Sequence, residues 1–108
     1  MATAHVNDVF IGASTPLLQV DATAASKVSL SVTTQIAAAT DASLKVKLQG
    51  SNDQASWHTL GGDGEQNVGN AVTKPVLGTV DGFLWVRAFF TFTSGTTPLI
   101  SASINTGN

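Results

Sequence analysis

The 108-residue sequence contains no cysteine, which excludes disulfide staples and thiolate zinc sites together. Charge is scarce as well: Asp, Glu, Lys and Arg make up 11% of the chain, against about 25% in an ordinary soluble domain. Only five residues are Lys or Arg and the formal charge is -2. Nucleic acid is therefore not an expected partner, because phosphate binding calls for a basic stripe. No apolar run approaches the ~18 residues of a membrane span. The opening MATAHVNDVFIG has neither the basic region nor the apolar region of a signal peptide, so synthesis in the cytoplasm without a signal peptide is expected. Internal repeats and linkers are missing too. What remains is a chain that is 43% hydrophobic, too apolar for disorder. Its length suits one domain spanning 1–108, with roughly 65% of the unfolded surface removed on folding.

Periodicity sets the fold class. From Lys27 to Ile36, Val28, Leu30, Val32, Thr34 and Ile36 alternate with Ser29, Ser31, Thr33 and Gln35, the pattern of a half-buried strand. Leu44, Val46 and Leu48 alternate with Lys45, Lys47 and Gln49. The AAATDAS segment between these runs predicts a turn and hence an antiparallel hairpin. Further strands are expected at Val6–Ile11, Leu17–Val20, Trp57–Leu60, Ala71–Leu77, Phe83–Thr93 and Leu99–Ile104. Pro75 consigns its strand to an edge or bulge. Gly61–Gly69 reads as a long flexible loop, and residues 1–16 as an N-terminal arm or first strand. The expected fold is all-β: a single antiparallel β-sandwich, jelly-roll-like, with seven or eight short strands. Its core is Leu30, Val32, Val46, Leu48, Val86, Phe90, Ile100 and Ile104, while Ser29, Gln35, Lys45 and Lys47 face outward.

No catalytic, metal or cofactor residues are assigned. His5 and His58 are the only imidazoles, and neither has an acidic neighbour in a recognisable pattern. Asp63 and Glu65 lie in a Gly-rich loop, but without EF-hand spacing, and Asp and Gly are ordinary turn residues. A calcium or chelator titration is accordingly expected to leave the melting temperature unchanged. Trp57 and Trp85 invite comparison with sugar-stacking platforms, although core or interface anchoring is the commoner role of Trp in a small domain.

The Phe83–Phe92 run carries more information. Leu84, Val86, Ala88, Phe90 and Phe92 fall on one side; Phe83, Trp85, Arg87 and Phe89 fall on the other. A strand apolar on both faces has to be covered on both faces, by the N-terminal segment or by another subunit. Phe10, Phe83, Trp85, Arg87 and Phe89 are therefore candidate subunit-interface residues. Trp57 is the candidate ligand platform if the domain is instead a carbohydrate-binding or adhesive module.

The order VSLSVTTQI, a short Ala/Thr turn, LKVKLQGSND and WVRAFFTFTSGTTPLISASI resembles the small capsid cement (decoration) proteins of short-tailed bacteriophages. The likeness runs from Leu17 to Ile104, and Gly61–Lys74 has no counterpart in it. The resemblance implies a jelly-roll-like homotrimer on the capsid exterior, bridging subunits of the major capsid protein and carrying no catalytic residues. The expected function is thus a structural virion protein rather than an enzyme. The alternatives are the sugar-binding module or a subunit of a tail or extracellular fibre.

Overall fold

Alternating burial shapes the strands seen in the computed structural model, which describes residues 2–108. Met1, the first residue of the arm expected over 1–16, lies outside the described residues. Nine strands follow in chain order: β1 (Thr3–Phe10), β2 (Thr15–Asp21), β3 (Lys27–Ile36), β4 (Leu44–Ser51), β5 (His58–Thr59), β6 (Gln66–Asn67), β7 (Lys74–Thr79), β8 (Trp85–Phe92) and β9 (Leu99–Gly107). One sheet has the order β1-β9-β3-β7; the other has β2-β8-β4-β5, with β6 pairing elsewhere along β4. Every pairing is antiparallel. The two sheets enclose one apolar core as a β-sandwich. All eight residues expected inside are buried. Of the four expected outside, Gln35 is exposed and Ser29, Lys45 and Lys47 are half-buried.

Strand pairing departs from the expectation. β3 and β4 form no hairpin and lie in opposite sheets. Both sides of β3 are taken by β7 and β9, and β4 pairs with β8, β5 and β6. The intervening segment crosses the sandwich instead of turning back. Ala38 is buried on the way, its N–H donating to the Gly69 carbonyl at 2.9 Å. A single 3₁₀ turn at Asp41–Ser43 then leads into β4. The register shift between Thr34 and Ile36 lifts Ile36 off the inward face, where it was expected, to 44% exposure. Alternation tells which residues face inward, not which strand lies alongside.

The stretch expected to be a flexible loop is stitched down. Gly62 bridges Gly78, the Asp63 N–H donates to the Leu77 carbonyl at 2.9 Å, and Asp63 Oδ2 accepts from the Leu77 N–H at 2.9 Å. The Thr79 N–H donates to the Gly61 carbonyl, also at 2.9 Å. These bonds cover the free edge of β7, the outermost strand that carries Pro75, as an edge strand needs. Farther on, Val68 is fully buried, and its carbonyl accepts from Thr34 Oγ1 at 2.7 Å.

The N-terminal strand β1 pairs with β9 at the edge of the first sheet. It does not fold over β8, which belongs to the second sheet, so one of the two covers envisaged for the outer face of β8 is not used.

Candidate functional site: the outer face of β4 and β8

The register of β4 with β8 builds this face. Lys45 is opposite Thr91, Lys47 opposite Phe89, Gln49 opposite Arg87 and Ser51 opposite Trp85. Because Val46, Leu48, Val86, Ala88 and Phe90 point inward and are buried, the partners between them project outward. Trp57 reaches the same face from the polar turn after β4.

That turn is held by its own side chains. Ser51 Oγ accepts from the backbone N–H of Asp53 at 3.2 Å and of Gln54 at 2.9 Å, and donates to Asp53 Oδ1 at 2.9 Å. The same Oδ1 accepts from the N–H groups of Ala55 at 2.9 Å and Ser56 at 2.8 Å. Asn52 Oδ1 accepts from the Leu84 N–H at 3.1 Å, tying the turn to the start of β8. The donors favour the charged carboxylate, and the Asp53 pKa is lowered from its usual 3.8 to about 2, first by the Ser56 N–H and then by that of Ala55. Asp81 and Asp21 are lowered in the same direction, Asp81 mainly by the Thr79 hydroxyl and Asp21 by the Thr23 N–H. A carboxylate with a depressed folded-state pKa stabilises the fold above its unfolded pKa, and that stability is lost as pH falls through the folded value. The melting temperature should therefore hold near neutrality and fall between about pH 4 and pH 2. Thermal melts across this range should show a shallower fall for Asp53→Ala. An identical slope would mean that the turn does not depend on the carboxylate.

Arg87 lies over the Trp57 ring, its guanidinium carbon 4.0 Å from the ring centroid. Its Nε donates to Gln49 Oε1 at 2.9 Å, which fixes the guanidinium plane. Its guanidinium carbon is also 5.7 Å from the Phe89 centroid, and Lys47 Nζ is 5.9 Å from the same centroid. Cations and rings thus alternate as Lys47, Phe89, Arg87 and Trp57. Each such contact is worth roughly 0.5–1 kcal/mol at an exposed site and more when desolvated. Desolvation alone lowers the Arg87 pKa, with no carboxylate opposing it. Gln49, expected outward, sits beneath this stack and is only 9% exposed. A bulge in β2 between Leu17 and Val20, with Leu18 at φ +62°, opens a shallow cavity beside Arg87. The cavity measures roughly 290 Å³ and is walled by Pro16, Leu17, Leu18 and Gln19. Gln19 Nε2 donates across to Gln54 Oε1 at 2.6 Å. A larger depression of roughly 490 Å³ lies on the other sheet beside Lys27, Leu77 and Gly107, away from any aromatic side chain.

The five candidate interface residues do not form one patch. Trp85, Arg87 and Phe89 share the outer face and are half-buried. Phe83 precedes β8 and turns toward the core edge, where its ring crowds Gly50 and Leu60 and stacks on His58 at 5.4 Å. Phe10, 62% exposed, is on β1 in the other sheet. Leu84, expected inward, lies before β8 and is 44% exposed, and Phe92 is only half-buried at its far end. Trp57 joins the face, with Arg87 occupying one side of its ring. Sequence reasoning missed Gln49 as the anchor of Arg87 and Lys47 as the partner of Phe89. Their outward positions were legible, but their neighbours depend on register.

Among the described residues, no group of three His, Cys, Asp or Glu side chains is placed to hold a metal ion. Nor is any helix long and apolar enough to cross a membrane. No family model matches the chain, and no curated protein matches it. Solved structures do.

The fold is shared with two prophage proteins. The SPBc2 prophage-derived protein YomS is similar over 96% of this chain and 94% of its own, with TM-score 0.58 and 7% identity. The PBSX exported protein XepA is similar over 99% of this chain, with TM-score 0.62 and 14% identity. This chain spans 38% of the XepA structure's length, so it corresponds to a part of that protein. At these identities the likeness is one of fold.

Proposed function

We propose that this protein is a structural component of a bacteriophage virion, a capsid decoration protein that docks as a homotrimer on the outside of the shell. It binds across neighbouring subunits of the major capsid protein. The observation that carries the reading is the outer face of β4 and β8. This face presents flat rings and stacked cations on a rigid sheet, a surface suited to contact with another protein surface. Arg, Trp and Phe are the side chains enriched in such contacts. The sandwich shared with two prophage products and the cement-like order of strands support the same origin. A partner that binds only assembled shells shifts their disassembly equilibrium by mass action, so the protein needs no reaction chemistry to act.

Purified protein added to phage shells that lack it should co-sediment with them and raise their melting temperature. Co-sedimentation with isolated tails or fibres and not with shells would overturn the reading in favour of the tail alternative. The sugar-platform alternative is less well served, since Arg87 already covers one side of the Trp57 ring.

Self-association has its own test. Light scattering at tens of micromolar should return the mass of a trimer, and Trp85→Ser should lower it while the variant stays folded. A clean monomer, unchanged in mass by the substitution, would remove Trp85 from any interface between copies.

A further inference from the structure

The outer face of β4 and β8 is basic on a protein that is otherwise acidic. Lys45, Lys47 and Arg87, three of the five cationic residues, lie on it. The rest of the chain holds the remaining two cations and seven acidic residues. The two carboxylates at the ends of the face are already engaged. Asp21 accepts from the Thr23 N–H at 2.7 Å, and Asp53 accepts from the Ala55 and Ser56 N–H groups. The guanidinium of Arg87 is bonded to a neutral amide, stacked on an aromatic ring and bordered by the cavity at the β2 bulge. A half-buried cation oriented by the Gln49 bond and the Trp57 ring, without a counter-ion among the described residues, is preorganised for one, and a guanidinium fork matches a carboxylate in bidentate geometry.

We infer that this face is a docking site for an acidic protein surface, with Arg87 receiving a carboxylate at the mouth of the β2 cavity and Lys47 and Lys45 receiving others beside it. The inference rests on the docking reading above and adds the chemistry of the partner. Spacing favours protein over polyanion. Lys45 and Lys47 project from the same side of one strand, roughly 7 Å apart, the spacing of alternate Asp or Glu side chains on an extended segment. Three cations are too few for a nucleic acid, which is gripped by many phosphate contacts. The flanking Trp57, Phe89 and Pro16 give the partner's apolar stems a surface to cover, which confines the charged contacts to a partly dry setting where they are stronger.

The test uses the full chain, labelled for NMR and titrated at low salt with poly-L-glutamate, and in a parallel arm with polygalacturonate. Poly-L-glutamate should shift the Arg87 Nε–H and Trp57 indole resonances. Arg87→Gln should weaken its binding about tenfold, as loss of one well-placed charge-assisted contact does. Arg87→Lys should fall between, keeping the charge without the fork, and Lys47→Gln should weaken binding severalfold. Lys74→Gln, on the other sheet, should leave it unchanged. If Arg87→Gln fails to fold, Lys45→Gln/Lys47→Gln carries the same test on two side chains outside the core. Absence of any shift at Arg87 and Trp57, or equal binding by parent and charge variants, would overturn the inference. Tighter binding of polygalacturonate would overturn it in favour of an acidic glycan. Shell binding is measured separately. Shell binding without poly-L-glutamate binding removes only the partner chemistry, and the reverse result removes only the shell.

Discussion

Phe90→Ala is expected to cost on the order of 3–5 kcal/mol, because it empties the largest fully buried side chain from the middle of the sandwich. Phe90 lies on β8, opposite Thr15 of β2 and Val46 of β4, so strands on both sides frame the cavity and resist collapse into it. Domains of this size have total stabilities of about 5–15 kcal/mol. Urea titration should move the midpoint down by roughly 1–5 M, given a slope of about 1–3 kcal/mol per M. Phe89→Ala, one residue away on the outer face, removes a half-buried ring over which Lys47 and Arg87 lie. It should cost about 2 kcal/mol. The contrast between neighbouring phenylalanines tests the register: equal losses would mean that β8 does not present its faces as described.

Gly62→Ala is expected to destabilise by roughly 2–6 kcal/mol, from two effects that add. Its φ of +120° lies where side chains carrying Cβ are strained, and an added Cβ would sit 2.6 Å from the Gly78 Cα and against the Leu77 carbonyl oxygen. Strained backbone costs about 1–3 kcal/mol and overpacking a similar amount. Backbone, unlike a flexible side chain, cannot swing aside. Gly64, two residues on, is also left-handed at φ +72° but has open space where its Cβ would go. Gly64→Ala should therefore cost about 1 kcal/mol, the conformational part alone. Hydrogen exchange adds a local readout. In Gly62→Ala the Leu77 and Thr79 amides, bonded to Asp63 and Gly61, should lose protection before the amides that join β3 to β9. Equal losses for Gly62→Ala and Gly64→Ala would show that the close approach to β7 does not contribute.

Much of the architecture follows from the chain read residue by residue. Val28, Leu30, Val32, Val46, Leu48, Ile100 and Ile104 are recognisable as core because period-2 alternation is imposed by the pleat itself. The edge position of the Pro75 strand is equally local, since a missing N–H acts within a few residues. β5 falls within the strand expected at Trp57–Leu60, but β6 left no such trace. Two residues cannot display a period, and their pairing is owed to β4.

The sequence by itself determined the fold class, the inward set of side chains and the scarcity of charge. It also showed that β8 is apolar on both faces and that some cover is required. Only the tertiary structure decided which side chains meet on that outer face. Arg87 stacks on Trp57, thirty positions earlier in the chain, while its Nε bonds Gln49 of the neighbouring strand. It likewise decided that β3 and β4 part into opposite sheets and that Gly61–Asp63 seals the edge of β7. Those outcomes depend on which strands become neighbours. Neighbour choice is settled by the packing of the whole sandwich, where each strand's hydrogen-bonding sides can be used only once, and no local pattern of residues encodes it.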